Sequence, residues 1–310
     1  MCGRARAFYA GLFSPDPTDP NACRVLWDKL PMVSAGDRDQ LELPLTLAKF
    51  SEALRRMPTN KSPGMDGLTV EFYRVFWDIL GPDLVTVCAN TDYKVVAKAI
   101  SLQLGSVLAD VIHPDQTYTV PGRTIFDNLY LVRDLLELEC RDGLSFALLS
   151  LDQEKAFNRV LYASAECLVR LNWTLTEPVS FRREVRQGCP LSGQLYALAI
   201  EPFLCLLCRR LTGLALWEPK LQQVLSAYAD DVLLVVQDPG DLARVEACLA
   251  VYSAASSARV NWVKSSGLAI GDWQQASSLP PVLQAIRWSA GPLLYLGIYL
   301  SATHPSPPEN

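Results

Sequence analysis

The stretch that most constrains this chain is Leu225–Gln237, LSAYADDVLLVVQ. An apolar run leads to Tyr228-Ala229-Asp230-Asp231, and a second apolar run, Val232–Val236, follows at once. Short Leu- and Val-rich runs split by a polar pair read as the two strands of a hairpin. Its tip then carries two adjacent carboxylates. Such a pair repels unless a cation lies beside it, and hard divalent ions such as magnesium take carboxylate oxygens. Taken alone, the pair fits an ordinary solvated turn equally well.

A chain of 310 residues, half of them hydrophobic and a fifth charged, can build a sizeable core. No run of eighteen consecutive apolar residues occurs, so no transmembrane helix is expected. The basic N-terminus lacks the apolar stretch of a signal peptide, so an intracellular setting is expected, its compartment left open. Nine scattered Cys fit a reducing compartment better than a disulfide framework. Cys205 and Cys208 form a lone C-x-x-C in apolar surroundings, which reads as buried helix cysteines rather than zinc ligands. A net charge of -5 argues against binding nucleic acid by bulk charge alone.

The first third reads as helical. Residues 46–57 predict an amphipathic helix capped by Thr46, with Leu47, Phe50, Leu54 and Met57 on one face. Asn60–Gly67 is a Gly/Pro break, and further helices are predicted over 68–80, 91–112 and 124–139. The character then changes. Phe146–Leu151 reads as a buried strand that delivers Asp152 to a sheet end. Glu166–Trp173 and Val179–Val185 read as a hairpin with a Thr/Pro turn. Ser192–Leu211 reads as a helix capped by Ser192 and bent at Pro202. Beyond the Asp230-Asp231 hairpin come a helix over 241–256, a strand and turn over 259–270, a last strand over 293–300 and a disordered tail.

Three segments belong together: Leu149–Phe157 (LSLDQEKAF), Arg186–Ser192 (RQGCPLS) and Tyr228–Asp231 (YADD). In order, setting and residue type they resemble motifs A, B and C of reverse transcriptases, above all those of LINE-type (non-LTR) retrotransposons. Asn60–Tyr73, His113–Asn128, the Asn261-x-x-Lys264-Ser265 segment and Tyr295–Leu300 extend the resemblance over nearly the whole chain.

The resemblance implies an α+β fold. Residues 1–145 would form a partial N-terminal extension and helical fingers. Residues 146–273 would be the right-hand polymerase palm, an antiparallel sheet backed by helices, and 274–310 its end and tail. It implies an RNA-directed DNA polymerase working by two-metal nucleotidyl transfer, with Mg2+ in the two ion positions and Mn2+ as a substitute. The partners would be an RNA template, a DNA primer and deoxynucleoside triphosphates, with no membrane. Asp152, Asp230 and Asp231 would be the catalytic metal ligands, joined by the backbone carbonyl of Gln153. Phe157 would pack beneath the incoming sugar, and Gln187-Gly188 would lie against nucleotide or template. Lys264 would pass a proton to pyrophosphate, and Arg123 would contact template or triphosphate. For Phe157, Lys264 and Arg123, ordinary core or surface roles compete.

The chain departs from the pattern in places. Gly81–Asn90 runs straight into Thr91-Asp92-Tyr93-Lys94, without the fingers segment usual there, and the connection after Asn158-Arg159-Val160 is short. Asn158 replaces an Asp, and Arg183-Glu184 stands where a Gly is usual. A non-catalytic remnant that binds nucleic acid or a partner is the alternative these departures raise.

Overall fold

The computed structural model describes the chain apart from residues 1, 13–16, 62–67, 87–92, 155–165, 168–169, 172–173, 176, 181–188, 217–221, 274–283, 285, 290–291 and 302–310. Its main helices are α1 (Pro20–Trp27), α2 (Leu47–Arg56), α3 (Tyr93–Gly105), α4 (Ile125–Asp142), α5 (Ser192–Arg210) and α6 (Asp241–Ser256). The central sheet is built from β1 (Phe146–Leu151), β2 (Leu225–Tyr228), β3 (Asp231–Val236), β4 (Ser266–Ile270) and β5 (Arg287–Ser289), in the order β5-β4-β1-β3-β2. The architecture is α+β. Neighbours are antiparallel except β4 and β5, so the sheet is mixed rather than wholly antiparallel.

Both faces of this sheet are covered, which explains why Val232–Val236 is continuously apolar instead of alternating. Side chains point alternately to the two faces. Leu149, Leu151, Val232, Leu234 and Val236 join Ile200, Phe203 and Leu207 of α5 and Leu242, Val245 and Leu249 of α6. Phe146, Leu148, Leu233, Val235 and Leu268 join Val132, Leu135 and Leu138 of α4, together with Leu293, Tyr295 and Leu300. Every residue from Val232 to Val236 is fully buried. The helix α1 also packs in the first of these cores, through Ala22, Cys23 and Leu26. It is tied to α6 by the Asp19 N–H, which donates to the Ala254 carbonyl at 2.9 Å.

The helix α2 and its neighbours form a separate core around Phe50, Leu54, Met57, Tyr73, Leu84 and Val95. Thr46 caps α2 as its sequence predicts, the side chain accepting from the Lys49 N–H. At the other end the Arg74 guanidinium donates to the carbonyls of Leu54, Arg55 and Met57, where the helix runs out of N–H partners.

Several expected elements differ. The helix expected over 68–80 is two helices, Val70–Val75 and Trp77–Thr86, parted at Phe76. The long helix expected to Ile112 stops at Gly105, and a short turn of helix, Leu108–Val111, follows. Ser192 is the first helical residue of α5, and the cap position falls to Leu191, which makes no side-chain cap bond. The expected hairpin is present, Glu166–Cys167 pairing antiparallel with Val179–Ser180, but Thr174–Leu175, expected in its turn, pairs with Arg170–Leu171. The last strand is a hairpin, Leu293–Tyr295 with Ile298–Leu300, because Leu296 and Gly297 take left-handed φ values of 48° and 80°. Of the tail expected to be disordered from Ser301, residues 302–310 lie outside the described residues.

Candidate active site

The strands β1 and β3 run antiparallel in a register that pairs Leu151 with Val232. Continuing that register by one residue sets Asp152 across from Asp231. The hairpin of β2 and β3 closes at the Tyr228–Asp231 pair, leaving Ala229 and Asp230 as its two-residue turn. The structure therefore brings Asp152, Asp230 and Asp231 to one end of the sheet. Asp230 and Asp231 reach solvent, and Asp152 is half-buried. Partial burial raises the Asp231 carboxyl above the usual carboxylate range, and the charges of Asp230 and Asp152 push it the same way.

The main chain of Asp152 is clamped by the turn Asn261–Ser265. The Asn261 N–H donates to the Asp152 carbonyl at 2.8 Å, and the Asp152 N–H donates to Ser265 Oγ at 3.1 Å. Ser265 Oγ donates in turn to the Asn261 carbonyl at 2.9 Å. Lys264 sits in this turn with its side chain exposed, and its N–H donates to the Asn261 carbonyl and to Asn261 Oδ1. Gln153 forms a short ladder with Val260. Its Nε2 donates to the Asp230 carbonyl at 3.5 Å, while its Oε1 is buried without a partner among the described residues.

The donor chemistry fits a hard divalent cation. The site holds three mutually repelling carboxylates and an unpaired amide oxygen, from neighbouring strand ends. Among the described residues, no group of three or more His, Cys, Asp or Glu side chains is gathered closely enough to enclose a metal ion as it stands.

Arg123 lies in a different setting. Its guanidinium donates to the carbonyls of Ala109, Ile112, His113 and Gln116, with distances of 2.6 to 3.3 Å. There it fastens the loop that follows Leu108–Val111. Phe157, Gln187 and Gly188 lie outside the described residues. Of the C-x-x-C pair, Cys205 is buried and donates to Glu201 Oε1 at 3.0 Å. Cys208 lies 3.3 Å from His113 Nε2, and burial pushes its thiol up to about 12.

Three contributors carry no sequence signal of their own. Gln116 and Asn128 are buried polar residues that bond β2 and its turn. Tyr118 packs edge-on against Tyr228, with ring centroids 5.2 Å apart. Both Gln116 and Asn128 fall inside the His113–Asn128 run, but only the fold shows what they hold.

Among the described residues, no helix is long and apolar enough to cross a membrane. Residues 84–300 match the family described as reverse transcriptase (RNA-dependent DNA polymerase). The chain is also 54% identical, over 361 aligned positions, to the Transposon TX1 uncharacterized 149 kDa protein of Xenopus laevis. That alignment covers 96% of this chain and 28% of the relative. It is longer than the chain's 310 residues, so the relative carries residues with no counterpart here. The chain belongs to the reverse transcriptase family, in the transposon-borne LINE-type group that its motifs resemble.

Proposed function

We propose that this domain catalyses RNA-directed DNA synthesis, with Asp152, Asp230 and Asp231 holding the divalent ions of nucleotidyl transfer. The observation that carries this reading is the meeting of three carboxylates at one sheet end, where Asp231 is raised by its burial and by its two acidic neighbours. Mg2+ is the ion that this hard-oxygen set favours, with Mn2+ as a substitute. When bound, the pair of ions activates the primer 3′-hydroxyl and steadies the leaving pyrophosphate.

The chain's own residues would do the rest. Asp152 and Asp230 act as principal ligands, Asp231 assists, and the carbonyl of Gln153 adds a further oxygen. Lys264, held on the turn that clamps Asp152, would give a proton to the leaving pyrophosphate. Phe157 would exclude a 2′-hydroxyl, and Gln187-Gly188 would line the nucleotide or template path. Arg123 contributes by fixing the loop beside the site, through the carbonyls it binds. An RNA template, a DNA primer and deoxynucleoside triphosphates are the partners this reading names.

A second reading is a remnant that binds nucleic acid or a partner without catalysis. It is favoured by the open arrangement of the carboxylates and by the residues of the relative that have no counterpart here. One assay separates the two: extension of a DNA primer on an RNA template with Mg2+. The polymerase reading expects extension that Asp230→Ala and Asp152→Ala each abolish. No extension by the wild-type chain, with no heat of magnesium binding in calorimetry, establishes the remnant.

A further inference from the structure

We propose that Gln116 is a positioning residue for the aspartate turn: its side-chain amide holds the main chain of Ala229 and so sets the place of Asp230. This inference rests on the polymerase reading. Gln116 is fully buried. Its Oε1 accepts from the Ala229 N–H at 3.3 Å and from the Tyr118 N–H at 3.0 Å, and its Nε2 donates to the Ala229 carbonyl at 3.3 Å. Both peptide groups of one turn residue are thus met by one side chain.

The turn needs such a hold. A two-residue hairpin leaves the peptide groups of its central residues outside the ladder. Ala229 also takes a φ of 56°, a left-handed value that costs a residue with a Cβ on the order of 1 kcal/mol. A strained turn persists only when its surroundings over-determine it.

The strand β2 is an edge, and the segment Asp115–Thr117 runs along it. The Ala227 N–H donates to the Asp115 carbonyl at 2.9 Å, and the Thr117 N–H donates to the Ala227 carbonyl at 3.1 Å. The Gln116 amide extends this pairing from Ala227 to Ala229, in the way a further strand residue would. Gln153 Nε2 meets the next carbonyl, that of Asp230, from the β1 side. Asp230 itself is exposed, and the backbone that Gln116 and Gln153 grip sets its location.

The test uses the full chain and two variants. Gln116→Met keeps the volume and loses the amide; Gln116→Asn keeps the amide and loses the reach. Mn2+ is the probe, titrated by calorimetry and by electron paramagnetic resonance, beside steady-state primer extension. Partners that orient metal ligands typically alter affinity about ten- to a hundred-fold. The expected result is a Mn2+ affinity weakened at least about tenfold in either variant, a kcat lowered about as much, and a KM for primer-template within about twofold of wild type. A purely structural role would lower the folded fraction and leave the Mn2+ affinity of the folded molecules unchanged. Wild-type and variant chains that bind Mn2+ equally well overturn the clamp alone. A wild-type chain that binds no Mn2+ overturns the polymerase reading instead.

Discussion

Ser265 Oγ accepts the Asp152 N–H at 3.1 Å and donates to the Asn261 carbonyl at 2.9 Å. One buried hydroxyl therefore links the first aspartate to the turn that carries Lys264. Ser265→Ala leaves the Asp152 N–H without that acceptor, at a cost of about 1–3 kcal/mol for a group withdrawn from water. Urea unfolding should show that loss, and primer extension should slow by more than the lost folded fraction explains. An unchanged unfolding midpoint would show that water replaces the hydroxyl without cost.

The parts of this fold legible in the sequence are those set by local pattern. Phe146–Leu151 is bounded by a charged residue just past its end, and Asp241–Ser256 by Gly240 and a left-handed Ser257, so both elements match their expected limits. Asp152, Asp230 and Asp231 could be placed together because strand ends and hairpin tips are local features. What local pattern does not carry is which side chains cross between segments. Gln116 and Ala229 lie 113 residues apart, and a buried Gln in a Pro/Gly-rich loop looks like any loop amide until β2 is seen beside it. The hairpin in 293–300 was hidden for another reason. Its two arms are only three residues each, and the reversal depends on Leu296 accepting a φ that its side chain disfavours.

Gly267 should not tolerate a side chain. It pairs with Trp288 across β4 and β5, and a Cβ there would come within 2.6 Å of the indole ring. Trp288 is in turn stacked on Trp273, with centroids 5.3 Å apart, and Trp273 Nε1 donates to the Gln237 carbonyl. Gly267→Ala is expected to destabilise the protein by about 1–3 kcal/mol, the usual range for overpacking. Near-ultraviolet circular dichroism should lose the signal of the coupled indoles. Retention of both stability and that signal would mean that β5 shifts freely.

Glu201 is a source of pH dependence. It is buried, one of its carboxylate oxygens has no partner among the described residues, and burial raises its carboxyl above the usual range. Between its ordinary pKa and the raised one, the folded state keeps a proton that the unfolded state releases. Stability therefore falls as pH rises through that window. Glu201→Gln removes the penalty. The variant should match wild type in acid, below the ordinary carboxylate range, and be the more stable of the two near neutral pH. Asp115, raised by burial as well, is present in both chains and cancels in the comparison. A variant less stable than wild type at neutral pH would show that the charged carboxylate is held favourably.

Asn128 ties three segments at one point. Its Nδ2 donates to Ser226 Oγ at 2.8 Å and to the Ala227 carbonyl at 3.0 Å, and its Oδ1 accepts from the Thr117 hydroxyl. From the C-terminal hairpin, the Tyr295 hydroxyl reaches the same place, donating to the Ser226 carbonyl at 3.2 Å with Ser226 Oγ at 3.1 Å. All of these groups are buried, so truncating Asn128 leaves the Thr117 hydroxyl without its acceptor and takes one partner each from Ser226 Oγ and the Ala227 carbonyl. Asn128→Ala should cost about 2–3 kcal/mol, more than a single exposed hydrogen bond is worth. Tyr295→Phe should cost less, because only the hydroxyl is lost. The two changes share Ser226, so the double variant should depart from additivity by at least about 0.5 kcal/mol in a thermal or urea cycle. Strict additivity would mean that the hairpin and α4 hold Ser226 independently of each other.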